Sequence, residues 1–197
     1  MQLTNPYPYK ELKRTSVDGQ RLYENPWGDP VPSVTTILSA TQPAEKRAAL
    51  ANWRKRVGTE EAQRVTTTAA NRGTVMHNIL EHWALGQYDT YNPGNNIVHQ
   101  QAKAMAAEVI MYKGKQTIMD FKQTNKPKKK EWIDDYFMQG AAYALAHNEM
   151  YETKIENIAI FMCSGDLQFQ LFESEASEFK DWEVKWSNRV AQFYNVS

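Results

Sequence analysis

Apolar side chains recur along the chain at two spacings, and each spacing predicts one kind of secondary structure. Helical spacing covers five segments, which are residues 44–55, 60–83, 97–110, 132–148 and 177–194. Gly73 marks a point at which the second of these helices could break. In the last helix, four apolar side chains are expected to face the core: Trp182, Trp186, Val190 and Phe193.

Alternation of apolar and polar positions predicts a strand over Gln116–Lys122. Met119 and Phe121 would lie on one face of this strand. Asp120 and Lys122 would lie side by side on the other, because side chains two residues apart share a face.

Turn residues separate the remaining short elements. The strands Ile155–Cys163 and Leu167–Glu173 flank the turn Ser164–Asp166, and Val17–Gln20 is typical of a hairpin turn. Ser33 is expected to cap a short helix. Helices, then strands, then helices again predict an α/β or α+β domain with a helical N-terminal portion.

Composition excludes several classes of protein. The chain has 197 residues, 42% hydrophobic and 12% aromatic, which excludes a disordered or low-complexity chain. Because 23 basic residues balance 23 acidic ones, a globally basic DNA binder is excluded, and any affinity for nucleic acid would come from local patches. The single cysteine, Cys163, excludes a disulfide framework, a cysteine-rich zinc module and a four-cysteine iron–sulfur cluster.

The apolar runs are too short to span a membrane, and the first ten residues lack the apolar core of a signal peptide. We therefore expect a protein of the reducing cytoplasm, without a membrane partner.

The tripeptide Asp120-Phe121-Lys122 is the strongest local chemical signal. A carboxylate at this position suits a hard divalent cation such as Mg²⁺ or Mn²⁺. The neighbouring ammonium could orient a metal-bound water or stabilise the charge of a phosphate. Read alone, the same residues are more often an ordinary ion pair on a sheet.

His77 and Glu81 lie one helical turn apart and face the same way. They border the apolar stripe of the predicted helix, where a pair of metal ligands facing a cleft could lie. Read alone, this spacing is more often a contact that stabilises the helix.

Gln139 and Tyr143 also share one face of a predicted helix, and the residues between them, Gly140, Ala141 and Ala142, permit another element to approach closely. The two polar groups could hold phosphate oxygens or the lysine by hydrogen bonds. The alternative is a helix packed through its small residues, with Tyr143 in the core.

Taken together, the three clusters follow the order G-x-x-x-H-x-x-x-E, D-x-K and Q-x-x-x-Y on a helix, a strand and a helix. This order resembles the RecB-like branch of the PD-(D/E)xK nuclease superfamily. The segments Val31–Leu38 and Trp53-Arg54 are similar to the N-terminal part of phage-encoded exonucleases related to the mitochondrial genome maintenance exonuclease. The resemblance extends from about Val31 to the final helix.

The resemblance implies one domain with a restriction-endonuclease-like core over residues 73–197, in which helices flank a small mixed sheet. A hairpin and helical part over residues 1–72 would precede this core. The implied activity is Mg²⁺- or Mn²⁺-dependent hydrolysis of DNA from ends or on single strands, in phage-type DNA processing or recombination.

The resemblance also implies roles for individual residues. Asp120 would bind the metal, and Lys122 would be the catalytic lysine. His77 would be a metal ligand or lie close to the metal, and Glu81 would bind the metal or support its ligands. Two further residues, Gln139 and Tyr143, would lie along the DNA path and support the site.

One acid that the family uses is missing. A strand before the D-x-K strand normally supplies an Asp, but the helix ending at Ile110 runs directly into Met111 and the turn-like Lys113–Lys115. A strand with its loop needs at least about 8–10 residues. No acid lies between Glu108 and Asp120. Either the molecule has a segment that this chain lacks, or a deletion has weakened the nuclease, or Glu108 replaces the acid; we favour the first two.

Basic residues cluster in two places, Lys46–Arg56 and Lys126–Lys130, and could bind phosphates. The candidate DNA contacts are Ser33, Thr35, Arg54, Arg72, Lys126, Lys128, Lys129 and Lys130. The alternative is a solvated helix face and a charged loop. Three interleaved aromatic residues could stack on bases but are expected in the core instead: Trp53, Trp132 and Tyr136.

The sequence is compatible with three functions. The leading one is the metal-dependent DNA exonuclease. The second is a nucleic-acid-binding protein of the same fold that has lost catalysis with the missing strand. The third is a structural or inhibitory protein that uses the fold to bind another protein.

Overall fold

The computed structural model describes residues 7–9, 12–18, 20–87, 96–109 and 115–195. The strands, in chain order, are β1 (Arg14–Val17), β2 (Gln20–Tyr23), β3 (Val31–Pro32), β4 (Thr117–Thr124), β5 (Asn157–Ser164) and β6 (Phe169–Ser174). The helices are α1 (Val34–Ala40), α2 (Ala44–Val57), α3 (Thr59–Ala84), α4 (Ile97–Val109), α5 (Asp134–Tyr151) and α6 (Ala176–Tyr194). A single 3₁₀ turn, Lys130–Trp132, precedes α5.

The N-terminal strands form an antiparallel sheet in the order β1-β2-β3. Val17 pairs with Gln20 across the first turn, where Asp18 has a positive φ of 51°. This confirms the predicted hairpin. Ser33 follows β3, and its Oγ accepts a hydrogen bond from the backbone N–H of Thr36 at 3.1 Å, which confirms the predicted cap of α1.

The second sheet has the order β4-β5-β6 and is mixed, because β4 runs parallel to β5 and β5 runs antiparallel to β6. Asp120 pairs with Ile160 and Lys122 with Met162 in the parallel ladder. Among the described strands, β4 is therefore at an edge of the sheet.

The central strand, β5, separates two hydrophobic cores. Ile158, Ile160 and Met162 pack with the side of the sheet covered by α5 and α6. Their neighbours Phe161 and Cys163 pack on the opposite side with α3 and α4. A strand buried on both faces is expected to be apolar throughout, as β5 is. The result is a small mixed sheet flanked by helices, which confirms the predicted fold class.

Gly140 sets how closely α5 approaches the sheet. A Cβ built at this position would lie 2.5 Å from Cγ2 of Ile158 on β5. Only glycine fits at this contact, which confirms that the small residues of α5 permit close approach.

The prediction of a break at Gly73 is wrong, because α3 is one continuous helix of 26 residues that includes Gly73. One glycine inside a helix costs only about 1 kcal/mol relative to alanine. Burial of Met76, Ile79 and Leu80 against the sheet outweighs this cost.

Only part of the predicted core face of α6 is buried. Trp182 is buried as expected, and Phe179, which was not predicted, is buried beside it. The other three predicted side chains are only half-buried: Trp186, Val190 and Phe193. They lie farther along α6.

A charged contact ties four helices together. Asp135 on α5 pairs with Lys46 on α2 at 3.2 Å and with Arg189 on α6 at 3.4 Å. Arg189 also donates hydrogen bonds to Thr41 and to the carbonyl of Leu38, at the end of α1.

Within the described ranges, no helix is both long and apolar enough to cross a bilayer. The junction between Ile110 and Met111, where the sequence suggests a missing strand, lies outside the described residues.

Candidate active site

The alternation of β4 places Asp120 and Lys122 together on the face covered by α5, as predicted. Lys122 Nζ donates a hydrogen bond to Asp120 Oδ1 at 3.0 Å and lies 2.7 Å from Oδ2. The side chain of Lys122 is only 19% exposed, and that of Asp120 is only 10% exposed. The intervening Phe121 packs on the opposite face of the sheet, with the core under α3.

Helix α5 supplies the next partners of the lysine. Lys122 Nζ donates a hydrogen bond to Gln139 Oε1 at 3.2 Å. The same ammonium lies 4.9 Å from the ring centroid of Tyr136, close enough for a cation–π contact. The lysine is thus held between a carboxylate, an amide oxygen and an aromatic face.

Gln139 links the lysine to a tyrosine one helical turn further on. Its Nε2 donates a hydrogen bond to Tyr143 Oη at 2.9 Å. The chain Asp120, Lys122, Gln139 and Tyr143 is therefore continuous, and we refer to it as the aspartate–lysine cluster. The structure thus joins the D-x-K tripeptide and the Gln139–Tyr143 pair through their side chains.

Both tyrosines of this region are held in the neutral form. Burial, followed by the charges of Asp120 and Asp135, raises the pKa of Tyr136 above its ordinary value. Burial is also the main cause that raises the pKa of Tyr143. Both phenols therefore keep their protons at neutral pH and can act as hydrogen-bond donors.

The third sequence cluster reaches the edge of β4. His77 Nε2 donates a hydrogen bond to the backbone carbonyl of Phe121, the residue between Asp120 and Lys122, at 2.8 Å. Glu81 is exposed. Within the described part of the chain, its carboxylate makes no hydrogen bond or ion pair with the aspartate–lysine cluster. We refer to His77 and Glu81 as the α3 pair.

The packing of α3 explains this separation. Met76, Ile79 and Leu80 hold α3 on the face of the sheet opposite to α5. Only a side chain at the edge of β4 can reach across to the D-x-K tripeptide, and His77 occupies that position.

The donor set suits a divalent cation in part. Asp120 Oδ2 is buried and accepts no hydrogen bond of regular geometry, although the Lys122 ammonium lies beside it. The His77 ring nitrogen and the Phe121 carbonyl oxygen, 2.8 Å apart, are two further candidate ligand atoms. Nevertheless, the described residues contain no group of three His, Cys, Asp or Glu side chains that could hold an ion.

The predicted DNA contacts are spread over several elements. Ser33 is buried, and its hydroxyl contacts Thr35, Thr36 and the backbone N–H that it caps. Arg54 and Arg72 are exposed on α2 and α3.

The basic loop after β4 is partly neutralised. Lys130 pairs with Glu178 at 3.0 Å, and Lys129 lies 3.9 Å from Glu131. Lys128 is half-buried, and its backbone exchanges two hydrogen bonds with the Gln170 side chain. A further lysine, Lys126, is exposed.

The structure adds residues that the sequence clusters did not identify. Arg21 and Tyr23 of β2 both interact electrostatically with Tyr143. Arg21 also lines a cavity of about 390 Å³ that includes Thr35 and Thr36. The alternation of β2, with an arginine and a tyrosine two residues apart, was the available signal, but nothing in the sequence connects this hairpin to α5.

Two of the three interleaved aromatic residues are not in the core. Trp132 is 55% exposed, and Trp53 is half-buried. The prediction that Trp132 is a core residue is therefore wrong. It lies in the 3₁₀ turn before α5, at the end of the loop from β4, where no other layer covers it.

Comparisons with known proteins give little more. No family model matches the chain. No curated protein matches it either. Among solved structures, the chain is similar to a candidate exonuclease from Eubacterium rectale, with a TM-score of 0.40 and 14% identity over 66% of this chain and 69% of that one. A likeness this weak leaves the function to be argued from the site.

Proposed function

We propose that this protein is a Mg²⁺- or Mn²⁺-dependent nuclease that hydrolyses phosphodiester bonds of DNA, from ends or on single strands. The observation that carries the proposal is the buried Asp120–Lys122 pair, held by Gln139 at the edge of the sheet and next to the His77–Phe121 contact. A buried ion pair contributes little to stability on average, so its presence beside further polar groups favours a chemical role.

Different residues of the chain have different roles in the proposed reaction. Asp120, with the Phe121 carbonyl and His77, would hold the cation. When bound, the cation supplies activation of a water molecule and neutralisation of phosphate charge. Glu81 would support the site from α3, through solvent, because it does not reach the aspartate–lysine cluster directly.

Lys122 is held in place before substrate arrives. Its ammonium has partners on two sides, Asp120 and Gln139, so its position does not have to be ordered during the reaction. There it would donate hydrogen bonds to a phosphate oxygen whose negative charge grows in the transition state. Tyr143 would keep the Gln139 amide in the orientation that presents its oxygen to the lysine.

Basic residues around this centre would hold the phosphates of the strand. The exposed candidates are Arg54, Arg72, Lys126, Lys129 and Lys130, of which Lys130 is paired with Glu178. A role in phage DNA breakdown, recombination or genome processing follows only from the resemblance in motif order.

The test uses end-labelled single-stranded and duplex DNA with Mg²⁺ or Mn²⁺. We expect hydrolysis that EDTA abolishes and that Lys122→Ala reduces by about 10²–10³-fold, the loss typical of one transition-state donor. Lys154→Ala is the matched control, because Lys154 is 85% exposed and precedes β5, at the end of the parallel strands away from Lys122. Cleavage that persists in Lys122→Ala or in EDTA would falsify the proposal.

A second function is favoured by one specific observation, the absence of a three-ligand group among the described residues. In this alternative, the protein binds nucleic acid without cleaving it. It predicts DNA binding with a steep salt dependence, no cleavage, and no rise in melting temperature with Mn²⁺.

A further inference from the structure

Trp132 presents a large apolar ring to solvent from the turn before α5. The residue is 55% exposed. Its backbone N–H donates a hydrogen bond to the Lys129 carbonyl at 3.0 Å, within the 3₁₀ turn that leads into α5. Tryptophan is usually well buried, so a ring exposed to this degree is unusual.

The ring lies close to the aspartate–lysine cluster along the chain. The loop from β4 to α5 leaves the carboxyl end of the parallel strands, two residues after Lys122. Tyr136, whose ring contacts the Lys122 ammonium, follows Trp132 by four residues. Tyr143, which is 42% exposed, follows after seven more residues. Trp132 lies just before the first turn of α5, whereas Gln139 and Tyr143 of the cluster lie further along the same helix.

A cation accompanies the ring. Lys129 Nζ lies 5.5 Å from the centroid of the Trp132 ring. The side chain of Lys129 is 66% exposed, and its contact to Glu131 is long, at 3.9 Å, so the ammonium can still meet a phosphate. Two nearby acids have other partners: Glu178 pairs with Lys130, and Asp134 pairs with Lys185.

An exposed aromatic ring with a lysine above it is the arrangement that binds a single nucleic acid strand, because the ring stacks on a base while the cation meets the backbone. We propose that Trp132 is a base-stacking platform for single-stranded DNA, with Lys129 on the adjoining phosphate, and that it holds the strand on one side of the aspartate–lysine cluster. The choice of DNA, and of this cluster as the place of reaction, rests on the proposed function.

Binding is measured in EDTA, where hydrolysis plays no part, by fluorescence anisotropy. The two probes are a short oligothymidylate and an abasic strand with the same number of phosphates. We expect Trp132→Ala to weaken binding of oligothymidylate by about 5- to 150-fold, the range found for loss of one stacked base. Binding of the abasic strand should change by less than about twofold, because only the phosphates remain to be bound.

Two further variants control for folding and for exposed tryptophan in general. Trp132→Phe keeps a ring and should retain most of the affinity for oligothymidylate. Trp27→Ala removes the other highly exposed tryptophan, which is 84% exposed in the turn between β2 and β3, and should change neither probe.

Three results would overturn the inference: no binding of oligothymidylate by the wild type, no effect of Trp132→Ala, or an equal loss on both probes. The last result would indicate a change of charge or folding. Stacking and hydrolysis fail separately in this design. A protein that loses base-dependent affinity in Trp132→Ala but never cleaves DNA supports the platform and refutes the nuclease, and one that cleaves DNA while Trp132→Ala changes nothing does the reverse.

Discussion

Helices α3 and α5 carry the same kind of polar pair, yet the fold treats the two pairs differently. On α5, Gln139 is 8% exposed and is hydrogen-bonded at both ends of its amide. On α3, His77 and Glu81 are exposed, and only the His77 ring reaches the sheet. Because α5 packs against both the sheet and α6, a polar side chain on its buried side must find partners, whereas His77 and Glu81 lie on a side of α3 that is open to solvent.

The glycines of the two helices show the same contrast. A Cβ at Gly140 would collide with Ile158, whereas a Cβ at Gly73 would meet nothing within 4 Å. In α5 the packing against Ile158 requires the glycine. In α3 the glycine only lowers the helix propensity. Close backbone contact therefore constrains α5 at its glycine, whereas nothing within 4 Å constrains α3 at Gly73.

The largest effect on stability is expected from breaking the buried ion pair. Lys122→Met should lower the free energy of unfolding by about 3 kcal/mol, because it leaves the Asp120 charge buried without its partner. Arg64→Ala on α3 is the matched change, since it breaks the solvent-exposed pair with Glu61 and should leave the denaturation midpoint almost unchanged. Urea unfolding measures both, and equal losses would remove the contrast between the two regions.

The two glycines provide the next test. Gly140→Ala should destabilise the protein by about 1–3 kcal/mol, because α5 must move away from β5. Gly73→Ala should be neutral or stabilise it by up to about 1 kcal/mol, through higher helix propensity. Thermal melts of both variants decide the question. A Gly140→Ala variant as stable as the wild type would show that α5 can yield at this contact.

The α3 pair gives a smaller effect. His77→Ala removes the hydrogen bond to the Phe121 carbonyl and should cost about 1 kcal/mol, whereas Glu81→Gln should stay within about 0.5 kcal/mol. The proposed metal site predicts that Mn²⁺ raises the melting temperature, and that His77→Ala reduces this rise more than Glu81→Gln does. If neither variant alters the response to Mn²⁺, the α3 pair acts independently of the aspartate–lysine cluster.

The smallest effect concerns the tyrosines of α5. Their folded pKa values lie above the ordinary value of 10.0, so the folded chain holds these protons more tightly than the unfolded chain. This contribution to stability is complete below about pH 10 and is lost as the pH rises through the raised pKa values. The double variant Tyr136→Phe/Tyr143→Phe should flatten the alkaline decline of melting temperature, and an unchanged decline would assign it to other groups. Helix α3 contains no tyrosine.

Local geometry made part of the site predictable. The alternation of a strand places Asp120 and Lys122 on one face, and the helical turn places Gln139 beside Tyr143. These contacts join residues two and four positions apart, so the covalent chain brings them together in any fold that contains these elements. The cap at Ser33 was predictable for the same reason.

Which of these local groups contact one another depends on the tertiary structure. Nothing in the sequence near His77 shows that its ring reaches the Phe121 carbonyl, 44 residues away, or that Arg21 approaches Tyr143. The exposure of Trp132 likewise depends on which layer lies above the turn before α5. Such contacts depend on the order in which helices cover the two faces of the sheet. Burial of the two hydrophobic cores on the two faces of β5 sets that order. This burial depends on the whole chain.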